Sequence, residues 1–222
     1  MSKQFLCACL VGLAAGACPT VTPKADLNLT EYTRASWYIQ EQQVTGYLEL
    51  ANFYCTVATY NETLAGKPAS VPLCKEPKCI VREVYNYENK GGVNGKASTP
   101  GTSLCARAKD ASDPARLLVA PCFLPNALAG DYWVLAAGPS NDNYEWAIIS
   151  GGNPTVQFAD GCTTKETGEN ESGLWLFHRK QVAPAADLTA MKQLLTGIGF
   201  TTSRLHPVTQ QGCKYDGATL KM

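Results

Sequence analysis

From Trp37 to Lys180 apolar and polar positions alternate in short runs rich in β-branched and aromatic residues, with turn residues between the runs. The runs are Ser36 to Gln43, Phe53 to Tyr60, Cys79 to Tyr87, Ser103 to Lys109, Ala115 to Phe123, Asp131 to Ala137, Tyr144 to Ser150 and Gly173 to Lys180. A period of two marks a strand with one face buried, and many such strands at short spacing predict a barrel or a sandwich. Asp110-Ala-Ser-Asp113-Pro114 separates the fourth and fifth runs, where a proline ends one strand without needing a donor, so these two form a hairpin. Beyond Lys180 the period changes. Leu188, Met191, Leu194, Leu195 and Ile198 recur at helical spacing, behind Asp187 as the expected N-cap and before Gly199 as the stop. The pattern predicts one amphipathic helix whose apolar stripe lies on the outside of the barrel.

Residues 1–17 follow a different pattern. One basic residue, Lys3, precedes an apolar run from Phe5 to Ala17 that ends in the small residues Ala15-Gly16-Ala17, as in a secretory signal peptide, and residues 18–222 then form a single domain. The run is too short to cross a hydrocarbon core of ~30 Å, and no later stretch reaches the ~18 apolar residues of a spanning helix, so no transmembrane segment is expected. Of the 10 cysteines, Cys7 and Cys9 fall in the leader, and the remaining eight are an even set suited to disulfides in an oxidising compartment. The sequons at Asn28, Asn61 and Asn170 agree with glycosylation on the same route. These features predict a secreted protein, or one in another compartment reached through the secretory route.

Charge then removes one class of partner. Lys plus Arg and Asp plus Glu are both 19, so there is no basic field to release counterions from a phosphate backbone, and no nucleic-acid partner is expected. Hydrophobic residues at 45% are enough for a packed interior. Catalytic signals are absent as well: His178 faces outward on the last strand, His206 precedes Pro207, and no Gly-x-Ser-x-Gly elbow occurs. Every mature cysteine has a candidate partner, so no thiolate nucleophile stands out. No catalytic residue, metal site or cofactor is indicated.

The order of several motifs is more specific than any of these features. Cys18-Pro19 near the start, Ala35-Ser-Trp37-Tyr38, Phe53-Tyr-Cys55-Thr-Val-Ala58-Thr-Tyr60, Asp113-Pro114-Ala115-Arg-Leu117, Asp131-Tyr-Trp-Val-Leu-Ala136, Asn143-Tyr144-Glu-Trp146-Ala147, Leu174-Trp-Leu-Phe-His-Arg179 and Gly199-Phe-Thr-Thr-Ser-Arg204 through Cys213 follow one another along most of the chain. In this order the sequence resembles the lipocalin family, and within it the apolipoprotein D, bilin-binding and crustacyanin-like group. Two departures are visible. Ala35 stands where the family usually has glycine, and Ala137-Gly138-Pro139 replaces the Thr-Asp of the second motif.

The resemblance implies an all-β, eight-stranded up-and-down antiparallel barrel with one C-terminal α-helix packed outside. It also implies that Trp37 closes the base with Arg179 on its face, a cation–π contact worth ~1–2 kcal/mol when shielded from water. With those two as inward anchors, alternation turns Ile39, Trp175 and Phe177 inward. By resemblance Ala58, Tyr60, Leu104, Ala106, Leu117, Val119, Tyr132, Val134, Ala147 and Ile149 join them. The expected ligand-lining set is Ile39, Ala58, Tyr60, Leu117, Val119, Tyr132, Val134, Ala147, Ile149, Trp175 and Phe177, with Ala58, Ala106, Ala136 and Ala147 leaving room. A barrel of this size either fills itself or holds one small ligand. Glu41 lies either inside the cavity or at a watered rim.

The resemblance pairs Cys55 with Cys213. The hairpin centred on Asp113 and Pro114 places Cys105 opposite Cys122, Cys74 and Cys79 are close enough to pair locally, and Cys18 is left for Cys162. The function implied is carriage of a small hydrophobic ligand, a carotenoid, bilin, retinoid or fatty acid. The alternatives are an enzyme on the same scaffold acting on a lipid or xanthophyll, and an interaction subunit that binds pigment or protein on its outer surface, where Trp133 and Trp146 lie on adjacent strands. A protein partner or an oligomer is compatible with any of these readings.

Overall fold

The computed structural model describes residues 17–61, 80–98, 104–108, 110 and 112–222. Residues 1–16 of the expected leader and the Cys74–Cys79 pair lie outside them. A short helix, α1 (Leu29–Tyr32), precedes strands β1 (Trp37–Gln42), β2 (Val57–Asn61), β3 (Ile80–Tyr87), β4 (Leu104–Ala108), β5 (Arg116–Pro121), β6 (Gly130–Ser140), β7 (Asn143–Ser150) and β8 (Leu174–His178). Helix α2 (Ala185–Gly197) and a two-residue strand, β9 (His206–Pro207), follow. Each barrel strand pairs antiparallel with the next, and β8 pairs back onto β1, so the sheet closes and β9 adds to the far end of β1. This is an eight-stranded up-and-down barrel with one helix outside. Closure leaves the eight strands no exposed edge.

Alternation sorts the side chains into an inner core and an outer one. Trp37, Ile39, Tyr60, Leu117, Val134, Ile149 and Phe177 belong to the inner cluster, and Trp133, Leu135, Ile148, Leu174, Leu176, Met191 and Leu195 to the outer cluster under α2. The ladder has three register shifts, and two of them bear on positions expected to face inward. On β1 the register shifts between Ile39 and Glu41, so Gln42 turns into the barrel and Glu41 turns out, where Lys192 Nζ of α2 donates to its Oε1 at 2.8 Å. On β6 a second shift between Val134 and Ala136 leaves Leu135 and Ala136 both outside and turns Ala137 inward, so Ala136 does not open space in the barrel as expected. In both places an extra residue on one strand resets the face of every residue after it.

Helix α2 starts earlier than its sequence signal. Its N-cap is Pro184, with no side-chain cap, and Asp187 sits in the first turn, where a carboxylate suits the helix dipole. Met191 and Leu195 are fully buried and Leu188 packs beside them, but Leu194 and Ile198 are 47% and 44% exposed. Residues 188, 191 and 195 share one face at spacings of three and four; Leu194 is rotated off it, and Ile198 is the C-cap, past the end of the helix. In the same outer cluster Trp133 is buried and Trp146 is half-buried.

Among the described residues, three disulfides tie peripheral segments to the barrel: Cys18 to Cys162, Cys55 to Cys213 and Cys105 to Cys122. The third is not a directly opposed pair. In the ladder Cys105 faces Ala120, so Cys122 is reached diagonally just past the end of β5, and the hairpin is centred on residues 112 and 113. Both cysteines still come within bridging distance, with Cα atoms 4.9 Å apart.

Candidate ligand-binding cavity

The closed end is assembled around one guanidinium. Asn28 caps α1 by accepting the Glu31 N–H at 3.1 Å, and the helix carries Tyr32 across the barrel bottom. Arg179 lies 3.3 Å from the Trp37 ring centroid. Its Nη2 donates to the carbonyls of Glu31 and Tyr32 at 3.0 and 2.9 Å, Nη1 to those of Ser36 at 3.2 Å and Ala35, and Nε to that of Tyr144 at 3.2 Å. Trp37 Nε1 donates to the Tyr32 carbonyl as well, at 2.9 Å. Burial pulls the Arg179 pKa down to about 10, so the group remains cationic at neutral pH.

Three phenols meet further in. The Tyr132 hydroxyl is 2.6 Å from that of Tyr32 and 2.6 Å from that of Tyr60. Desolvation pushes all three phenols up, so they are neutral.

The space above this cluster is a cavity of about 470 Å³. Aromatic and aliphatic side chains from β1, β2, β5, β6 and β8 form most of its wall, and loop residues including Tyr47, Leu48, Leu124 and Leu128 form its mouth. The volume is within the range of small-molecule sites.

No family model and no curated protein matches the chain. Among solved structures, it is similar to H1 crustacyanin from the lobster Homarus americanus, at 12% identity over 91% of this chain and 95% of that one, with a TM-score of 0.51. It is also similar to the cockroach allergen Per a 4, at 12% identity over 90% and 97% of the two chains and a TM-score of 0.53. The amine-binding protein of Rhodnius prolixus, solved with tryptamine, matches at 15% identity over 90% and 91%, with a TM-score of 0.51. All three are lipocalins. The chain has the lipocalin fold.

In this lipocalin barrel Ile39, Ala58, Tyr60, Val119, Tyr132, Trp175 and Phe177 line the cavity, and so does Leu104. Leu117, Val134, Ala147 and Ile149 also point inward, but they are at most 1% exposed within the packed core and do not reach the cavity. Alternation separates inside from outside; it says nothing of which inward residues border open space. The residues it missed include Gln42 after the β1 bulge, Val84 and Asn86 on β3, Ala120 and Pro121 at the end of β5, Asp131 at the start of β6, and several on loops. Gln42 is 1% exposed and lines the cavity with neither Nε2 nor Oε1 hydrogen-bonded, and Thr56 Oγ1 is in the same condition. Among the described residues, the charged ones lining the cavity are Glu88, Asp131 and Glu169, and no Lys, Arg or His lines it. Desolvation holds the Glu88 carboxyl above the usual carboxylate range.

On the outer face of β4, Arg107 is fully buried and clasps the segment that follows β5. It donates to the carbonyls of Leu124 at 2.7 Å, Pro121 at 3.2 Å and Cys122 at 3.2 Å, and to Asn126 Oδ1 at 3.0 Å. With the Cys105–Cys122 bridge it fixes that side of the lipocalin mouth. Among the described residues no cluster of His, Cys, Asp or Glu could hold a metal, and no helix is long and apolar enough to cross a membrane.

Proposed function

We propose that this protein is a secreted carrier that holds one small hydrophobic molecule inside the barrel. The observation that carries this reading is the cavity itself: about 470 Å³, sealed at the Arg179 end and walled chiefly by apolar and aromatic side chains. Burying apolar ligand surface there contributes roughly 25 cal/mol per Å², less the usual cost of association. The disulfides suit an oxidising compartment, and Asn28 and Asn170, two of the sequon residues, are exposed. A binding protein fits better than an enzyme, because the phenols facing the cavity are held neutral and the described cysteines, Cys18, Cys55, Cys105, Cys122, Cys162 and Cys213, are all bridged. The Rhodnius neighbour binds tryptamine, which agrees with a barrel that holds a small aromatic guest.

Trp175 is the tryptophan that lines the cavity, so it supplies the readout. The uncharged apolar dye N-phenyl-1-naphthylamine is expected to bind saturably with quenching of tryptophan emission. Val119→Trp, which fills a half-buried position on the cavity wall, is expected to weaken the dye at least tenfold while thermal unfolding stays cooperative. Absence of saturable binding by the parent protein would overturn the carrier reading.

A further inference from the structure

Three glutamines in and just after β1 are buried, and the protein satisfies two of them. Gln40 Nε2 donates to the carbonyls of Tyr38, Lys180 and Gln181, and its Oε1 accepts the Ala183 N–H. Gln43 Nε2 donates to the Thr164 carbonyl, and its Oε1 accepts from the hydroxyls of Thr163 and Thr164. Gln42 is as deeply buried, yet both ends of its amide lack a partner, and it borders the cavity only because the β1 bulge turns it there. Anything that displaces solvent from this wall must hydrogen-bond to that amide or leave a donor and an acceptor desolvated.

The chemistry of the amide selects the group. An amide offers one acceptor and N–H donors side by side, so a partner must both donate and accept. A carboxylate only accepts and leaves Oε1 unmet; an ammonium only donates and leaves Nε2 unmet. A hydroxyl meets both, and Thr56 Oγ1 on the same cavity offers it a further contact. Charge adds to this, because the carboxyl groups of Glu88, Asp131 and Glu169 disfavour a second anion in the same partly desolvated volume.

We propose that Gln42 is the polar anchor of the ligand, and that the cavity selects apolar alcohols over the corresponding carboxylates. The inference rests on the carrier reading and specifies the head group of what is carried. Retinol and retinoic acid share a ring and polyene and differ in the head, so they isolate it. At neutral pH the oxidised, full-length mature protein is expected to bind retinol at least tenfold more tightly than retinoic acid. Gln42→Leu is expected to raise the retinol Kd at least fivefold and to reduce the preference below twofold. Its unfolding midpoint should not fall, since an unpaired buried amide is exchanged for an apolar group. If Gln42→Leu fails to fold, Gln42→Met, closer in length, replaces it in the same comparison. Equal affinities for the two retinoids in a parent that binds the naphthylamine dye would overturn the anchor while leaving the carrier intact, as would a variant that retains the preference. A parent that binds none of the three overturns both.

Discussion

Arg179 and His178 are neighbours in sequence and show how differently a strand's two faces treat a basic group. Arg179 donates to five carbonyls and lies on Trp37, so Arg179→Ala strands those acceptors at the barrel base. A loss of about 2–4 kcal/mol in urea denaturation is expected, from a cation–π contact together with several charge-assisted hydrogen bonds. His178 faces outward as its strand position implies, yet α2 covers it and its side chain is only 1% exposed. The Lys180 N–H donates to Nδ1, so the proton sits on Nε2 and is donated to Asp187 Oδ2 at 3.2 Å. Burial lowers the imidazole pKa, against a smaller opposing effect of Asp187. The unfolded chain therefore takes up this proton at a higher pH than the folded one, and acidification through the ordinary imidazole value near ~6.5 favours unfolding. The urea midpoint of the parent should fall between pH 7.5 and about 5.5. His178→Gln, which keeps a donor to Asp187 and does not titrate, should show a smaller fall; an equal fall in both would place the acid sensitivity elsewhere.

Among the elements, most strands were legible because a half-buried strand writes its own pleat into the sequence, and β1 to β8 fall within a few residues of their predicted runs. The inward face was legible for the same reason, from Ile39 and Ala58 through Trp175 and Phe177. The two bulges were not, because a bulge is a backbone event that no residue type here announces. One exchanged Glu41 for Gln42 and the other Ala136 for Ala137. Loops follow no period at all, so Tyr47, Glu88, Leu124 and Glu169 at the mouth had no signal to find. On α2 the apolar pattern overstated the stripe by including Leu194, off the buried face, and Ile198, past the helix end. Truncation separates them: Leu195→Ala is expected to cost about 2–5 kcal/mol and Leu194→Ala under about 1 kcal/mol. Comparable losses in chemical denaturation would mean that the helix is rotated from the orientation described.

At the scale of the molecule, the family motifs carried the topology, since their order along the chain is the order of the strands around the barrel. Where the open volume lies is a property of the assembled wall, which is why Leu117 and Ala147 are core while Gln42 borders the cavity. The Arg107 clasp belongs to this scale as well. It grips three carbonyls and one side-chain amide of the segment that brings Leu124 and Leu128 to the opening. Arg107 does not itself line the cavity, although Pro121 and Leu124, whose carbonyls it holds, do, so its side chain makes no contact with a guest. Its expected effect is on how far the doorway can widen as a guest passes, and hence on how long the guest stays. In stopped-flow measurements Arg107→Met should speed loading and release of the naphthylamine dye by similar factors, leaving their ratio nearly constant. A carrier built this way would keep its cargo through brief encounters and surrender it only where something pries that doorway apart.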